Sequence, residues 1–216
     1  MEKGMYVCDS CHAVNEFPVT EYINAEKNPE LKEKLSEGKL FLQRCEKCGH
    51  ENIVVSSMLY EDPGKHLLIE MVPKGENKEG ERLEKTYLDS SVIENIGAYR
   101  KRVVHEPNEL LEKIAVFDAD LDDRVIEIMK LSAAVSILDH QKITVSDMYF
   151  SPSEKDREFD VLVNNEFYGT IPFRKDLYQE IQSSYIPLLN SHEASASLID
   201  MDWAMEVIRS KRGTRA

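Results

Sequence analysis

The residues of this chain best suited to chemistry are four cysteines, and they come as two matched pairs. One is Cys8-Asp9-Ser10-Cys11; the other is Cys45-Glu46-Lys47-Cys48, followed at once by Gly49. No further cysteine occurs in the 216 residues. Two residues between ligands let the backbone bend over a metal and aim its amides at the sulfurs. Two such turns supply the four thiolates of a closed, tetrahedral zinc site. Gly49 fits this pattern, because the residue after the second cysteine often needs a positive φ, which glycine takes without steric cost. Cys8, Cys11, Cys45 and Cys48 are therefore the expected metal ligands, and Zn2+ is the expected ion. Tetrathiolate iron of the rubredoxin type uses the same spacing and stays open as the alternative. A thioredoxin-like redox pair would want one such turn at a strand-to-helix junction. Two disulfides would need an oxidising compartment. His12 and His50 lie beside the pairs, and with four thiolates at hand they are expected to face solvent or to support the ligands from outside.

A four-thiolate shell leaves no open coordination position, so such an ion staples the fold and does not catalyse. Catalytic signatures are missing elsewhere. There is no G-x-x-x-x-G-K-[ST], no G-x-G-x-x-G, no G-x-S-x-G and no H-E-x-x-H. The net charge is −13, and four thiolates outweigh one Zn2+, which argues against nucleic acid as a partner. The basic clusters Arg100-Lys101-Arg102 and Lys211-Arg212 with Arg215 read as a solvated strand and a frayed end. At 42% hydrophobic and 31% charged the composition is that of an ordinary globular protein. No run is long or apolar enough to span a bilayer, and residues 1–7 are too short and too charged for a signal segment. The expected compartment is the cytoplasm.

The elements that position the cysteines can be read in part. Tyr6-Val7 leads into the first turn as a strand, and residues 16–23 alternate as another, with Pro18 at an edge. Asn28 and Pro29 open a helix with Leu31 and Leu35 on one face, and Gly38 closes it. Residues 40–44 return as a strand into the second turn. Residues 53–60 and 66–72 form a hairpin across Glu61-Asp62-Pro63-Gly64, residues 74–84 form a charged loop, and residues 99–104 form a further strand.

With its Asn-Pro-Glu-Leu-Lys-Glu-Lys-Leu helix between two C-x-x-C turns, the chain resembles the CpXC-domain proteins, a bacterial and archaeal family with no assigned reaction. Gly38-Lys39-Leu40, Leu59-Tyr60-Glu61-Asp62-Pro63, residues 103–105 and 110–114, and residues 121–127 carry the same likeness. It covers roughly residues 5–135 and implies a zinc-ribbon-like module. The chain departs at the name-giving feature. The family usually has proline after the first cysteine, where this chain has Asp9 and Glu46.

Past the module, residues 109–116 read as a short helix. Asp118, Asp120, Asp122 and Asp123 lack the glycine and glutamate of a calcium loop, so Asp120 is expected to cap the next helix, with Asp122 and Asp123 complementing its dipole. Residues 121–140 form the longest helix, apolar over more than one stripe, and are expected to be buried on most sides or to lie at a homodimer seam. Residues 143–150 read as a strand. Residues 158–163 and 167–173 form a hairpin across Asn164-Asn165-Glu166, with a bulge at Gly169, and helices follow at 175–184 and through Trp203 to Ile208. No internal repeat is evident. The expected fold is α+β: a zinc-ribbon-like antiparallel N-terminal sheet with an inserted helix, a central long helix, and a C-terminal hairpin or meander followed by helices. The expected division is 1–105 and 106–216, packed as one unit. The expected role is a non-catalytic protein-binding or scaffold protein, with a protein partner or self-association. The alternative is an enzyme whose site is assembled from scattered residues such as Tyr99, His105, Asp118 and Asp120.

Overall fold

Each cysteine pair sits in the loop of a short antiparallel hairpin. In this computed structural model, which describes residues 3–74, 96–152, 156–192 and 198–213, the first hairpin is β1 (Lys3–Val7) with β2 (Val14–Pro18). The alternating run expected over 16–23 breaks after Pro18, which has no amide hydrogen to extend a ladder, and β3 (Tyr22–Asn24) joins a different sheet. Helix α1 (Pro29–Ser36) follows, with proline at its start and Gly38 (φ 70) beyond its end. Asn28 stands at the cap position, but its side-chain oxygen accepts from the Asn24 amide rather than from the helix. Leu35 is fully buried. A 3-10 turn then leads into the second hairpin, β4 (Leu42–Arg44) with β5 (Glu51–Ile53).

The strand expected over 53–60 is also two strands. β6 (Met58–Asp62) belongs with β3, β7 (Leu67–Met71) and β8 (Arg100–Val104) in a four-stranded mixed sheet of order β3-β6-β7-β8. β6 and β7 form the expected antiparallel hairpin, while β3 with β6 and β7 with β8 run parallel. Ile23, Tyr60 and Ile69 lie opposite one another, and Met58, Met71 and Val104 do likewise; all six are buried. Arg102, expected in a solvated strand, is buried, and the alternation of β8 puts Arg100 and Arg102 on the face opposite Lys101. These three residues therefore form no basic stripe. The side chains of Lys211, Arg212 and Arg215, and the charged loop past Lys74, lie outside the described residues.

The chain divides into two compact units, Met1–Leu111 and Glu112–Ala216. The second is built on the end of α2 (Pro107–Asp118), the long α3 (Asp123–Gln141), and an antiparallel meander of β9 (Asp147–Pro152), β10 (Arg157–Val163) and β11 (Glu166–Pro172). Helices α4 (Lys175–His192) and α5 (Met201–Gly213) complete it. Asn164 and Asn165 both take positive φ in the tight turn, and a register shift beside Gly169 marks the expected bulge. Helix α4 runs past its expected end and past Pro187, because Leu189 is fully buried in the core. Phe150, Phe159, Phe173 and Tyr178 stack edge-on or tilted at the centre of this core.

Helix α3 behaves as two halves. All of its first eight residues are buried, charged ones included, while Val135 and Leu138 in the second half remain largely exposed. The buried charges pair with one another. Lys113 Nζ lies 2.9 Å from Glu127 and 3.4 Å from Asp123, and donates to the Ile199 carbonyl at 2.7 Å. Lys130 Nζ lies 2.8 Å from Glu112 and reaches Glu127 as well. The Phe150 amide donates to Glu112 at 2.7 Å. Burial pushes the Glu112 carboxyl up. At Glu127 burial acts in the same direction, but Lys113 and Lys130 outweigh it and hold the group below the ordinary carboxylate range. Burial would lower Lys113, yet Glu127 and Asp123 raise it. Removing one partner of a buried pair strands the other charge. Lys113→Met should therefore cost about 3–5 kcal/mol, read as a drop in the urea midpoint. An unchanged midpoint would show that the network is hydrated and weak.

Candidate metal centre

The two cysteine turns are built alike, and the likeness begins in the backbone. In the first, the Cys8 amide donates to the Ala13 carbonyl at 2.9 Å and the His12 amide to the Cys8 carbonyl at 2.9 Å. In the second, the Cys45 amide donates to His50 at 2.8 Å and the Gly49 amide to Cys45 at 2.9 Å. The residue that must turn left-handed is His12 (φ 56) in one and Gly49 (φ 76) in the other. The glycine expected for this conformation is present once, and a histidine accepts it once. Both His12 and His50 are exposed, as expected.

These turns bring all four sulfurs within 4.8 Å of one another. Cys8 Sγ lies 3.7 Å from Cys48 Sγ, and Cys11 Sγ lies 3.6 Å from Cys45 Sγ. The closest pairs thus cross between hairpins. Neither turn leads into a helix, so the strand-to-helix setting of a thioredoxin-like pair is absent here. The separations far exceed a disulfide bond of about 2.05 Å. A tetrahedron whose corners lie about 2.3 Å from its centre has edges of about 3.8 Å, so the cluster fits one tetrahedrally bound ion. Cys8 and Cys45 are buried, Cys11 is partly so, and Cys48 is exposed, which leaves one edge of the cluster open to solvent.

The turns also handle charge. The Cys48 and Lys47 amides aim at Cys45 and lower its pKa to about 6 against the effect of burial. Burial would raise Cys8, but the Cys11 and Ser10 amides outweigh it and lower the thiol pKa. At Cys11 the Ala13 amide favours the thiolate, yet burial and the three neighbouring sulfurs prevail and push the group up to about 12. Four thiolates this close cannot all ionise alone, whereas a dication lets them do so.

A model of the CpXC protein family matches residues 6–130, more than half of the chain. The chain belongs to the CpXC family. No curated protein and no solved structure matches it. In this CpXC protein the match takes in all four cysteines and ends at Lys130, inside helix α3.

The scattered residues of the enzyme reading have other occupations. Tyr99 donates to Glu61 at 2.9 Å; Tyr22 and Asn24 donate to the same buried carboxylate, which with burial pushes Tyr99 up to about 12. The His105 ring bonds the Val72 carbonyl at 2.9 Å. Tyr99 and His105 flank the two ends of β8, roughly 20 Å apart at ~3.3 Å per residue. Asp120 takes a left-handed φ of 55 in the turn before α3, and Asp122, not Asp120, caps that helix by accepting from the Arg124 amide. A cleft of about 460 Å³ beside β1 is lined by none of these four residues. Among the described residues, the cysteines form the group placed to hold a metal ion.

Two residues that join the turns are not among the sequence-based candidates. Asn15 and Asn52 follow their pairs at the same spacing, C-x2-C-x3-N, and that short repeat was the signal. Gly49→Ala should cost about 1–2 kcal/mol by forcing a Cβ into the left-handed region, with metal content unchanged. Thermal unfolding alongside elemental analysis reads both, and loss of the metal would mean the turn tolerates no strain.

Proposed function

We propose that this CpXC protein is a non-catalytic scaffold whose two N-terminal hairpins are stapled by one structural Zn2+ held by Cys8, Cys11, Cys45 and Cys48. The observation that carries the reading is the spacing of the four sulfurs, close to the edges of a tetrathiolate tetrahedron. Zinc bound by four thiolates has no open position for water or substrate. Its contribution is folding free energy, since the site cannot exist in the unfolded chain. Four cysteines kept as thiols suit a reducing compartment, the cytoplasm; among the described residues no helix is long and apolar enough to cross a membrane.

A protein partner is the further part of this reading. Val7 lies opposite Val14 on one face of the first hairpin, Met5 shares that face, and all three are more than half exposed. Such a strip beside a rigid metal centre suits a protein surface. The charge of −13 disfavours nucleic acid.

Metal analysis by mass spectrometry on protein purified without chelator should give one zinc per chain and no reactive thiols. A red protein with one iron would replace zinc by a rubredoxin-like centre. Disulfides or free thiols would sink the metal reading altogether. Cys45→Ser alters a buried ligand, and should lose the ion and the amide-exchange protection of both hairpins. Retained protection would remove the stapling role.

A further inference from the structure

The two turns hold each other before any ion is considered. Asn15 stands on the first hairpin, and its Oδ1 accepts the Glu46 amide of the second turn at 3.1 Å. Asn52 stands on the second hairpin, and its Oδ1 accepts the Asp9 amide of the first turn at 2.9 Å. Each asparagine also donates through Nδ2 to its own turn: Asn15 to Ala13 at 2.8 Å, and Asn52 to His50 at 3.0 Å. Both side chains are at least nine-tenths buried. Each therefore braces its own loop with one end and grips the opposite loop with the other.

The geometry points to Asn15 and Asn52 as a reciprocal latch that positions the four sulfurs for the metal. The inference rests on the metal reading above and adds the residues that set the affinity. The gripped amides belong to Asp9 and Glu46, the residues directly after Cys8 and Cys45. Holding those amides fixes where each turn begins and so where both of its sulfurs point. A residue that orients ligands from outside the coordination shell typically governs 10–100-fold in metal affinity. The latch also couples two distant choices of residue type. Asn15 has a donor only because residue 46 has an amide hydrogen, and a proline there would have none. The same dependence links Asn52 to residue 9.

The test uses the full chain with Co2+ as probe, reading its tetrahedral thiolate absorption during competition with a chelator. Asn15→Ala should weaken Co2+ binding by about 10–100-fold, and Asn52→Ala likewise. Asn15→Asp keeps an oxygen to accept the Glu46 amide but sets a second carboxylate oxygen against the Ala13 carbonyl, so it should lose less affinity than Asn15→Ala; this variant also serves if Asn15→Ala fails to fold. Glu46→Pro removes the gripped amide. In that background, replacing Asn15 by Ala should leave the affinity nearly unchanged, because the bond it served is already gone. Equal losses from Asn15→Ala in both backgrounds, or equal losses from the Ala and Asp variants, would overturn the latch. A parent chain that binds no Co2+ would overturn the metal reading together with it. Normal binding by the parent and all variants would overturn the latch alone.

Discussion

Four sulfurs within 4.8 Å repel one another as soon as more than one is ionised, and the first fifty residues are arranged around that repulsion. Each turn lends backbone amides to its sulfurs, and Cys45 and Cys8 become easier to ionise for that reason. Cys11 shows the limit, since its neighbours push it the other way. A cation resolves the conflict at once. The rest of the module follows from holding two turns face to face. Short hairpins supply stiff stems, helix α1 spans the interval between them, and the four-stranded sheet anchors the chain on either side.

The second unit meets an electrostatic problem of another kind. There, three carboxylates and two lysines are at least 95% buried around helices α2 and α3. Coulomb attraction within a pair offsets desolvation only when the remaining polar atoms also find partners. The carbonyl of Ile199 and the amide of Phe150 meet that need. Glu112 still pays for its burial, which raises its proton affinity although Lys130 and Lys113 act the other way.

The parts of this protein legible from sequence are those where one residue type has one physical use. Cysteine spacing, Gly49 after the second turn, Pro29 at the start of α1 and Asn164-Asn165 at a tight hairpin all behave so. What escaped depends on partners far along the chain. The pairing of Glu112, Lys113, Glu127 and Lys130 carries no local signal and shows only when two helices are placed side by side. The runs over 16–23 and 53–60 look like single strands, because alternation does not reveal that the two halves enter different sheets. The cap expected at Asp120 falls to Asp122, because Asp120 is taken up in a left-handed turn that composition does not reveal. Asn15 and Asn52 are ordinary strand residues until the turns face each other.

The likeness to the CpXC family stops at Lys130, but the protein cannot be divided there. All five buried charges of the network lie at or before that residue, while the groups that complete them lie after it. Lys113 needs the carbonyl of Ile199, Glu112 the amide of Phe150, and Arg124 the carbonyl of Leu189. A chain ending at the family boundary would carry a set of ions whose solvation belongs to residues it no longer has. The stretch past Lys130 therefore supplies the polar partners for charges that the family segment brings.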